Sequence, residues 1–325
     1  MELRKDPITR SWVVVGHPDE VPPASNACPL CPGNENERAS LLAMPASGPW
    51  QVRVIPHLNP LYRIEGDPGR QAEGIYDKMR CVGAHEIIVD TRDHTTRLSQ
   101  MPDEHIELVL SAYSQRIQDL KRDTRFKYVT VFKNYGAPAG EEWAHSHSQV
   151  TATTFVPRRI GYELRAARIL FQEKERCVFC DIVRQEERKE KRIVDSQGDY
   201  VALCPYASRV PYEIWVTERK HNHLFEQPRP GSNRRNLAAL LGRMLRRLER
   251  VAQGYHLVVH TTPNTLVTKG EFREFWKTIA DDYHWHIEIL PIVQQRSKSY
   301  SIKEVYFNPL LPEQAAEQLR QTDPG

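Results

Sequence analysis

The chain repeats three landmarks in the same order, and this repeat constrains its fold more than any other feature. Each half carries a Cys-x-x-Cys pair, then a strand pattern that ends in a charged turn and a histidine, then a His-x-His segment. The two sets are Cys28/Cys31, 86–94 and His145/His147 in the first half, and Cys177/Cys180, 213–221 and His284/His286 in the second. Three landmarks in register favour duplication of one unit. We therefore expect two related domains, residues 1–158 and 159–325, with a pseudo-two-fold relationship.

The expected secondary structure mixes strands with helices. Alternating apolar residues predict strands, and apolar residues spaced by three and four predict amphipathic helices. Strands are expected at 12–15, 126–132, 200–204, 213–217, 255–260 and 284–293, and helices at 103–122, 160–175 and 233–252. The charged run 185–191 is expected to be a surface loop or a frayed helix. Hairpin strands with packed helices in each half favour an α+β fold built on antiparallel sheets.

The composition argues against several classes of protein. With 325 residues, 40% of them hydrophobic and 27% charged, the chain is typical of a globular protein of two modest domains. A net charge of +3 is too small to indicate a nucleic-acid partner, and no apolar run is long enough to span a membrane. Residues 1–6 lack the apolar core of a signal peptide, so we expect a cytoplasmic protein. In that reducing compartment the two Cys-x-x-Cys pairs favour metal ligands over disulfides.

The segment His145-Ser146-His147-Ser148-Gln149 carries the side chains best suited to catalysis. Alternate residues of an extended segment point the same way, so His145, His147 and Gln149 are expected to share one face. A neutral imidazole nitrogen can attack phosphorus near pH 7, and a neighbouring amide can hydrogen-bond the phosphoryl oxygens. The alternative interpretation is a histidine-rich strand end or an adventitious metal patch.

The residues that lead into this segment extend the motif. A strand pattern at 127–132, then Asn134, then a loop of glycine and small residues, then His-x-His-x-Gln resemble the galactose-1-phosphate uridylyltransferase family. That family belongs to the histidine-triad superfamily and includes ADP-sugar phosphorylases. The motif in this chain looks close to that of the phosphorylase branch. The resemblance covers nearly the whole chain, from Arg-Lys-Asp-Pro-Ile-Thr at 4–9 to the closing segment 312–320. It implies tandem histidine-triad-like domains.

This resemblance also implies an activity and a set of site residues. His147 would take a nucleoside monophosphate from a nucleotide sugar and pass it to a sugar 1-phosphate, and Gln149 would hold the phosphoryl oxygens. Further substrate contacts would come from Asn59, Asn134, Gly136, Gly140 and Ser146. Asn59 precedes a proline, so a plain turn is an equal interpretation. Relatives complete their active sites across subunits, so the resemblance implies a homodimer.

Two groups of cysteine and histidine have the composition of zinc sites. Cys28, Cys31, His94 and His145 can form a tetrahedral Cys2His2 site, which the resemblance also implies. The repeat predicts a second group, which consists of Cys177, Cys180, His221 and His284. His223 competes with His221 for the ligand position, and the repeat favours His221. Thiolate ligands favour zinc over iron. The alternative is a set of ordinary buried thiols.

Several segments depart from the family pattern. Acidic pairs stand at 19–20 and at Glu141-Glu142, where relatives carry basic, small or hydroxyl residues, and a glycine turn near 303–304 is replaced by Lys-Glu. Basic residues such as Lys133, Arg158, Lys269, Arg296 and Lys298 could compensate. In the second half, Glu288 replaces the glutamine and would repel phosphate, which favours a structural or acceptor-binding domain.

Three functions therefore stay open. The first is uridylyl transfer between a nucleotide sugar and a hexose 1-phosphate. The second is an ADP-sugar or dinucleoside-polyphosphate phosphorylase, which would use inorganic phosphate as the acceptor. The third is a zinc-containing nucleotide-binding protein that has lost catalysis.

Overall fold

The computed structural model describes residues 1–16, 27–34, 40–267, 274–293 and 305–324. This part of the chain forms fourteen strands and six α-helices. The strands are β1 (Glu2–Lys5), β2 (Trp12–Val15), β3 (Leu42–Met44), β4 (Val52–Pro56), β5 (Gln71–Glu73), β6 (Tyr76–Arg80), β7 (Gly83–Val89), β8 (Tyr128–Tyr135), β9 (His147–Thr153), β10 (Ile193–Gln197), β11 (Tyr200–Leu203), β12 (Ile214–Glu218), β13 (Gly254–His260) and β14 (His286–Ile292). The helices are α1 (Asp103–Leu120), α2 (Arg158–Lys174), α3 (Val178–Lys189), α4 (Arg234–Val251), α5 (Ile279–Asp282) and α6 (Pro312–Gln321).

One ten-stranded antiparallel sheet spans both halves of the sequence. Its order is β10-β11-β12-β14-β13-β8-β9-β7-β4-β3, and a separate four-stranded sheet has the order β2-β1-β6-β5. The central contact pairs β8 with β13, where Val131 faces Val259 and Tyr135 faces Tyr255. From this contact outward, the strand order is β8, β9, β7, β4, β3 on one side and β13, β14, β12, β11, β10 on the other. Both sides therefore repeat the same connectivity.

The main core lies between one face of this sheet and the helices α1, α4 and α6. In α4, Leu237, Leu241, Leu245 and Leu248 recur at intervals of three and four, and all are buried. This spacing favours a helix because it places the leucines on one face, which packs into the core. Each buried leucine contributes roughly 1.5–3 kcal/mol through loss of apolar surface from water. The helices α1 and α4 also pack against each other, which joins the two halves through a shared core.

Strand alternation decides which side chains of β9 face away from this core. The register pairs Val89 with His147 and Ile87 with Gln149, while Ile88 pairs with Ser148. Ile88 belongs to the core beneath α1, whereas Ile87 and Val89 belong to a small cluster on the other face. His147 and Gln149 therefore lie on the face opposite α1.

Most of the expected helices and strands are present, and two boundaries correct the sequence interpretation. The charged run at 185–191 is mostly helical, because α3 continues to Lys189; there Glu186 is buried and binds the Arg192 guanidinium. The His-x-His strands begin at His147 and His286, so His145 and His284 precede them. The described helices are too short or too polar to cross a membrane.

Candidate active site and metal centres

His147 is held with one ring nitrogen directed away from the backbone. Its Nδ1 donates a hydrogen bond to the carbonyl oxygen of His145 at 2.8 Å, because that oxygen can only accept. Within the described ranges Nε2 has no hydrogen-bond partner. Burial lowers the pKa of His147 to about 4, and the charge of Lys133 adds to the shift. The ring is therefore neutral at pH 7, with an unprotonated Nε2. Trp143 packs edge-on against it, 5.2 Å between ring centroids.

Gln149 is oriented by a histidine that the sequence interpretation missed. The backbone N–H of Leu61 donates to His85 Nδ1 at 3.1 Å, so His85 carries its proton on Nε2 and donates it to Gln149 Oε1 at 2.9 Å. With its oxygen occupied, the amide presents its NH₂ group, for which the described residues supply no acceptor. His85 lies two residues before Ile87 on β7, so strand alternation could have indicated it.

A second histidine stacks on His85. The rings of His57 and His85 lie 3.8 Å apart with 13° between their planes. The backbone N–H of Asn59 donates to His57 Nδ1 at 3.0 Å, so His57 Nε2–H faces the Glu142 carboxylate at 3.1 Å. Asn59 thus reaches the site indirectly, through its backbone. The carboxylate of Glu142, 40% exposed, is bound by an imidazole N–H at the edge of the site.

A buried ion pair supports the other face of the His-x-His segment. Lys133 Nζ lies 2.9 Å from Asp90 Oδ2 and also donates to Ser146 Oγ and to the carbonyl oxygen of His147. Ser146 and Ser148 both donate to Asp90, at 3.0 and 3.1 Å. The expectation that Lys133 could meet substrate phosphate is wrong, because its ammonium group is enclosed by these acceptors. The Ser146 hydroxyl, predicted to bind substrate, is directed into the same network.

The predicted asparagine and glycines occupy the strand and loop next to His147. Asn134 follows Phe132 by two residues on the same face of β8, and its Oδ1 accepts from His256 Nδ1 at 2.9 Å. Gly136 has φ +86°, and a Cβ there would lie 2.6 Å from the carbonyl oxygen of Gln253, so only glycine fits. Gly140 adopts the left-handed conformation at the end of the 3₁₀ turn 137–139.

The acidic pair has two different environments. Glu141 accepts a hydrogen bond from the Gly136 N–H at 3.1 Å, and burial raises its pKa. Glu142 forms the pair with His57 described above. The loop carboxylates are therefore engaged by protein groups. The other departures from the family pattern, at 19–20 and 303–304, lie outside the described residues, as do Lys269, Arg296 and Lys298.

The structure brings together the first predicted group of metal ligands. The sulfur atoms of Cys28 and Cys31 lie 3.7 and 3.5 Å from His145 Nδ1, and Cys31 lies 3.4 Å from His94 Nδ1. Tetrahedral zinc with bonds of about 2.3 Å to sulfur and 2.0–2.1 Å to nitrogen places such atoms roughly 3.6 Å apart. His145 Nε2 donates to the carbonyl oxygen of Thr91 at 2.8 Å, which leaves Nδ1 for a metal. The residues fit a zinc ion.

The second predicted group has the same geometry. Cys180 Sγ lies 3.4 Å from both His221 Nδ1 and His284 Nδ1, and Cys177 completes the group. His221 Nε2 donates to the carbonyl oxygen of Ala280 at 2.8 Å. His221, and not His223, joins His284 in this group. These residues also fit a closed tetrahedral site.

The second His-x-His segment lies among charged groups. His260 Nδ1 lies 3.0 Å from Glu163 and its Nε2 lies 3.5 Å from Glu288. Glu288, at the position that Gln149 has in the first half, also binds the Arg209 guanidinium. His286 stacks on His260 with 4.5 Å between ring centroids. In the second half, the carboxylate at the position of Gln149 is therefore already paired with positively charged neighbours.

Comparison with known proteins gives a consistent result. The family described as galactose-1-phosphate uridyl transferase, N-terminal domain, matches residues 61–157. A galactose-1-phosphate uridylyltransferase from Thermotoga maritima is 27% identical over 99% of this chain and 99% of its own length. The chain is therefore similar over nearly its whole length to galactose-1-phosphate uridylyltransferases, and the family match itself covers residues 61–157. An ADP-glucose phosphorylase from Arabidopsis thaliana is 28% identical over 98% of this chain and 92% of its own length. A solved uridylyltransferase structure matches this chain with a TM-score of 0.81 and 26% identity, over 99% and 98% of the two chains.

Galactose-1-phosphate uridylyltransferases are nucleotidyltransferases, and the similarity to them over nearly the whole chain makes this protein an enzyme of that class. Its fold is mixed, with antiparallel sheets and six described helices, like that of its structural neighbours. The side chains on the open face of β8 and β9 are therefore the candidate catalytic groups, and their roles are considered next.

Proposed function

We propose that this enzyme transfers a nucleoside monophosphate from a nucleotide sugar to a sugar 1-phosphate through a covalent nucleotidyl-His147 intermediate. His147 Nε2 attacks the phosphorus next to the nucleoside, an N–P bond forms, and the P–O bond to the leaving sugar 1-phosphate breaks. A phosphate oxygen of the acceptor then attacks the same phosphorus and releases Nε2. Uridylyl transfer between UDP-glucose and a hexose 1-phosphate is the nearest form of this reaction.

The orientation of His147 is the observation that carries this proposal. The bond from Nδ1 to the His145 carbonyl leaves the lone pair on Nε2, and burial keeps the ring neutral. An imidazole nucleophile needs its lone pair on the attacking nitrogen, and the ring should be fixed in this tautomer before the substrate binds. When the covalent bond forms, the ring becomes positively charged. The His145 carbonyl then stabilises the charge through the same hydrogen bond.

Gln149 and the loop would bind the transferred phosphoryl group. The His85 bond leaves the Gln149 NH₂ group as a donor for an oxygen that gains charge in the transition state. We propose that Asn134 and the backbone of the loop that contains Gly136 and Gly140 contact the donor phosphates. Asn59 and Ser146 would act through their backbone groups, because the Ser146 hydroxyl binds the Lys133–Asp90 pair.

We propose zinc in both Cys2His2 groups, with a structural role. A zinc ion bound by Cys28, Cys31, His94 and His145 would fix the residue whose carbonyl oxygen holds His147. Metal content of the purified protein, measured by inductively coupled plasma mass spectrometry, tests this directly. Two zinc atoms per chain are expected. Protein that is folded and active with none would remove the proposal.

We further propose that the two halves are tandem histidine-triad-like domains, residues 1–158 and 159–325. The matching strand order on the two sides of the β8–β13 contact supports this division. The second domain would be structural or acceptor-binding, because Glu288 and its partners occupy the place of Gln149. A homodimer, which the family resemblance implies, is tested by sedimentation equilibrium of the purified chain.

Intact-protein mass spectrometry tests the covalent step. The protein is incubated separately with UDP-glucose, ADP-glucose, UTP, ATP and diadenosine tetraphosphate. A mass gain of one UMP or AMP is expected, and it should be absent in His147→Ala. The matched control is His223→Ala, which removes a half-buried imidazole outside both metal groups and should still form the adduct. An adduct that persists in His147→Ala rules out this nucleophile. No adduct with any donor, on metal-loaded protein, favours a nucleotide-binding protein without catalysis.

A phosphorylase reaction is the second candidate, supported by the similarity to the Arabidopsis protein named ADP-glucose phosphorylase. It would use the same His147 intermediate but inorganic phosphate as the acceptor. Adding either glucose 1-phosphate or inorganic phosphate to the isolated adduct separates the two. The acceptor that returns the protein to its original mass identifies the reaction.

A further inference from the structure

A cavity of about 580 Å³ lies at the far end of β9 from His147, and we call it the basic cavity. It is bounded by the β1–β2 turn, the 155–157 connection and the first two turns of α2. The seven residues of β9 span roughly 20 Å at about 3.3 Å per residue, and the cavity begins beyond its last residue. It is therefore separate from the candidate active site.

The lining of the basic cavity is positively charged. Its cationic residues are Lys5, Arg10, Arg70, Lys127, Arg158 and Arg165, and none of the described residues that line it is an aspartate or glutamate. Lys5, Arg70 and Arg165 form no ion pair with any carboxylate in the described part of the chain. For a chain whose net charge is only +3, this is a strong local excess of positive charge.

The carboxylates that interact with the start of α2 lie outside the lining of the basic cavity. One of them, Asp6, interacts with Arg158, and its carboxylate also accepts the N–H groups of Ile8 and Thr9 at 2.8 and 2.9 Å. The helix α2 begins here with Arg158 and Arg159, without an acidic residue in its first turn. Arg159 is paired with Glu163 and Glu288 at 3.1 and 3.5 Å and does not line the basic cavity, so the positive charge available to a ligand comes chiefly from Lys5, Arg70 and Arg165.

Aromatic rings lie among these cations. Trp12 and Phe155 line the basic cavity with 6.0 Å between their ring centroids, and Tyr162 lines it from α2. The ammonium group of Lys5 lies 5.7 Å from the Trp12 ring, and the Arg158 guanidinium lies 5.1 Å from the Tyr162 ring. Aromatic and guanidinium planes stack on nucleobases, and arginine and lysine bind phosphates.

We propose that the basic cavity is a second, non-catalytic binding site for a nucleoside phosphate. The cations would bind its phosphates, and the rings of Trp12, Phe155 or Tyr162 would contact its base. The volume of the cavity lies within the roughly 300–1,000 Å³ of small-molecule sites, which matches a free nucleotide rather than a longer nucleic acid. The site does not depend on the reaction proposed for His147, although the same class of molecule would visit both.

Charge reversal at two exposed residues tests this proposal. Arg70→Glu/Arg165→Glu changes exposed side chains that form no ion pair within the described residues, so the fold should be retained. ADP and UDP are titrated calorimetrically into the wild type and the double variant, with Arg188→Glu as the control on an exposed, distant position of α3. The double variant should lose one nucleotide-binding event, or weaken it at least tenfold, while Arg188→Glu keeps it. Adduct formation at His147 should be unchanged in both variants.

The result also distinguishes this site from the active site. Nucleotide binding that is absent, or unchanged by the charge reversal, would overturn the proposal, even if His147 forms its adduct. Conversely, loss of one binding event in the variant supports the basic cavity even if no adduct forms. Pyrophosphate and adenosine serve as partial ligands, and each should bind at least tenfold more weakly than ADP. Pyrophosphate that binds as tightly as ADP, or a single-stranded oligonucleotide that binds more tightly, would remove the nucleotide assignment.

Discussion

Replacement of Lys133 by methionine should destabilise the protein strongly. The ammonium group is 1% exposed and donates to Asp90 at 2.9 Å, to Ser146 at 3.1 Å and to the His147 carbonyl at 2.7 Å. Methionine fills a similar volume but leaves the fully buried Asp90 carboxylate without a positive charge. Removal of one partner from a buried ion pair typically costs about 3–5 kcal/mol, and we expect a loss of unfolding free energy in that range.

A double-mutant cycle separates this charge effect from a simple loss of packing. Lys133→Met/Asp90→Asn removes both charges and keeps an amide oxygen for Ser146 and Ser148. It should recover more than half of the stability lost in Lys133→Met, because no uncompensated charge remains. Urea denaturation followed by circular dichroism measures all four proteins. Lys189→Met, at the exposed end of α3, is the control and should change stability by less than about 0.5 kcal/mol.

The same variants connect the ion pair to the chemistry. Lys133 binds the Ser146 hydroxyl and the carbonyl oxygen of His147, so its loss should also slow adduct formation in protein that remains folded. Two results would refute the reasoning. One is a destabilisation below about 1 kcal/mol in Lys133→Met, and the other is a double variant at least as unstable as the sum of the single changes.

Three further perturbations follow from the geometry. His85→Phe keeps a ring against its neighbour but removes the donor to Gln149; single-turnover mass spectrometry should show adduct formation slowed about 10–100-fold, less than the roughly 10²–10³-fold expected for Gln149→Ala. An unchanged rate would mean that the amide needs no such support. Cys177→Ser should lower the zinc content by one atom per chain and reduce the melting temperature. An unchanged zinc content or an unchanged melting temperature would contradict a structural zinc site. Burial opposes the charge on His260, but Glu163 and a second carboxylate raise its pKa to about 9. Because this folded value exceeds the unfolded value near 6.5, the associated stability is complete below pH 6.5 and is lost as pH rises to 9, by up to about 3 kcal/mol. His260→Gln should flatten this part of the stability profile.

The sequence predicted those features that leave a local signal. The leucine spacing of α4 and the alternation in β13 are local, so their limits agree with the structure within one or two residues. The internal repeat predicted that distant cysteines and histidines form two matching groups, and in the structure the ligand atoms of each group lie within 4.8 Å of one another.

Other features have no such signal, because they depend on contacts between distant residues. Lys133 looks like a basic residue available for phosphate, and only the packing of β7, β8 and β9 shows that it faces Asp90. The charged run that ends α3 could be read as a surface loop or a frayed helix, because the Arg192 guanidinium that binds Glu186 lies beyond the helix. His85 gave a strand-alternation signal, but its partner Gln149 is 64 residues away.

The contact between β8 and β13 limits how this chain can be divided. Five residues of each strand pair across it, from Val131 to Tyr135 and from Tyr255 to Val259. A polypeptide cut after residue 158 would expose β8 as an open sheet edge and would strip α1 of the surface that α4 covers. Such edges promote association with other strands. The repeat units are therefore not interchangeable modules, and a split protein would regain its shape only if both pieces were present to complete each other.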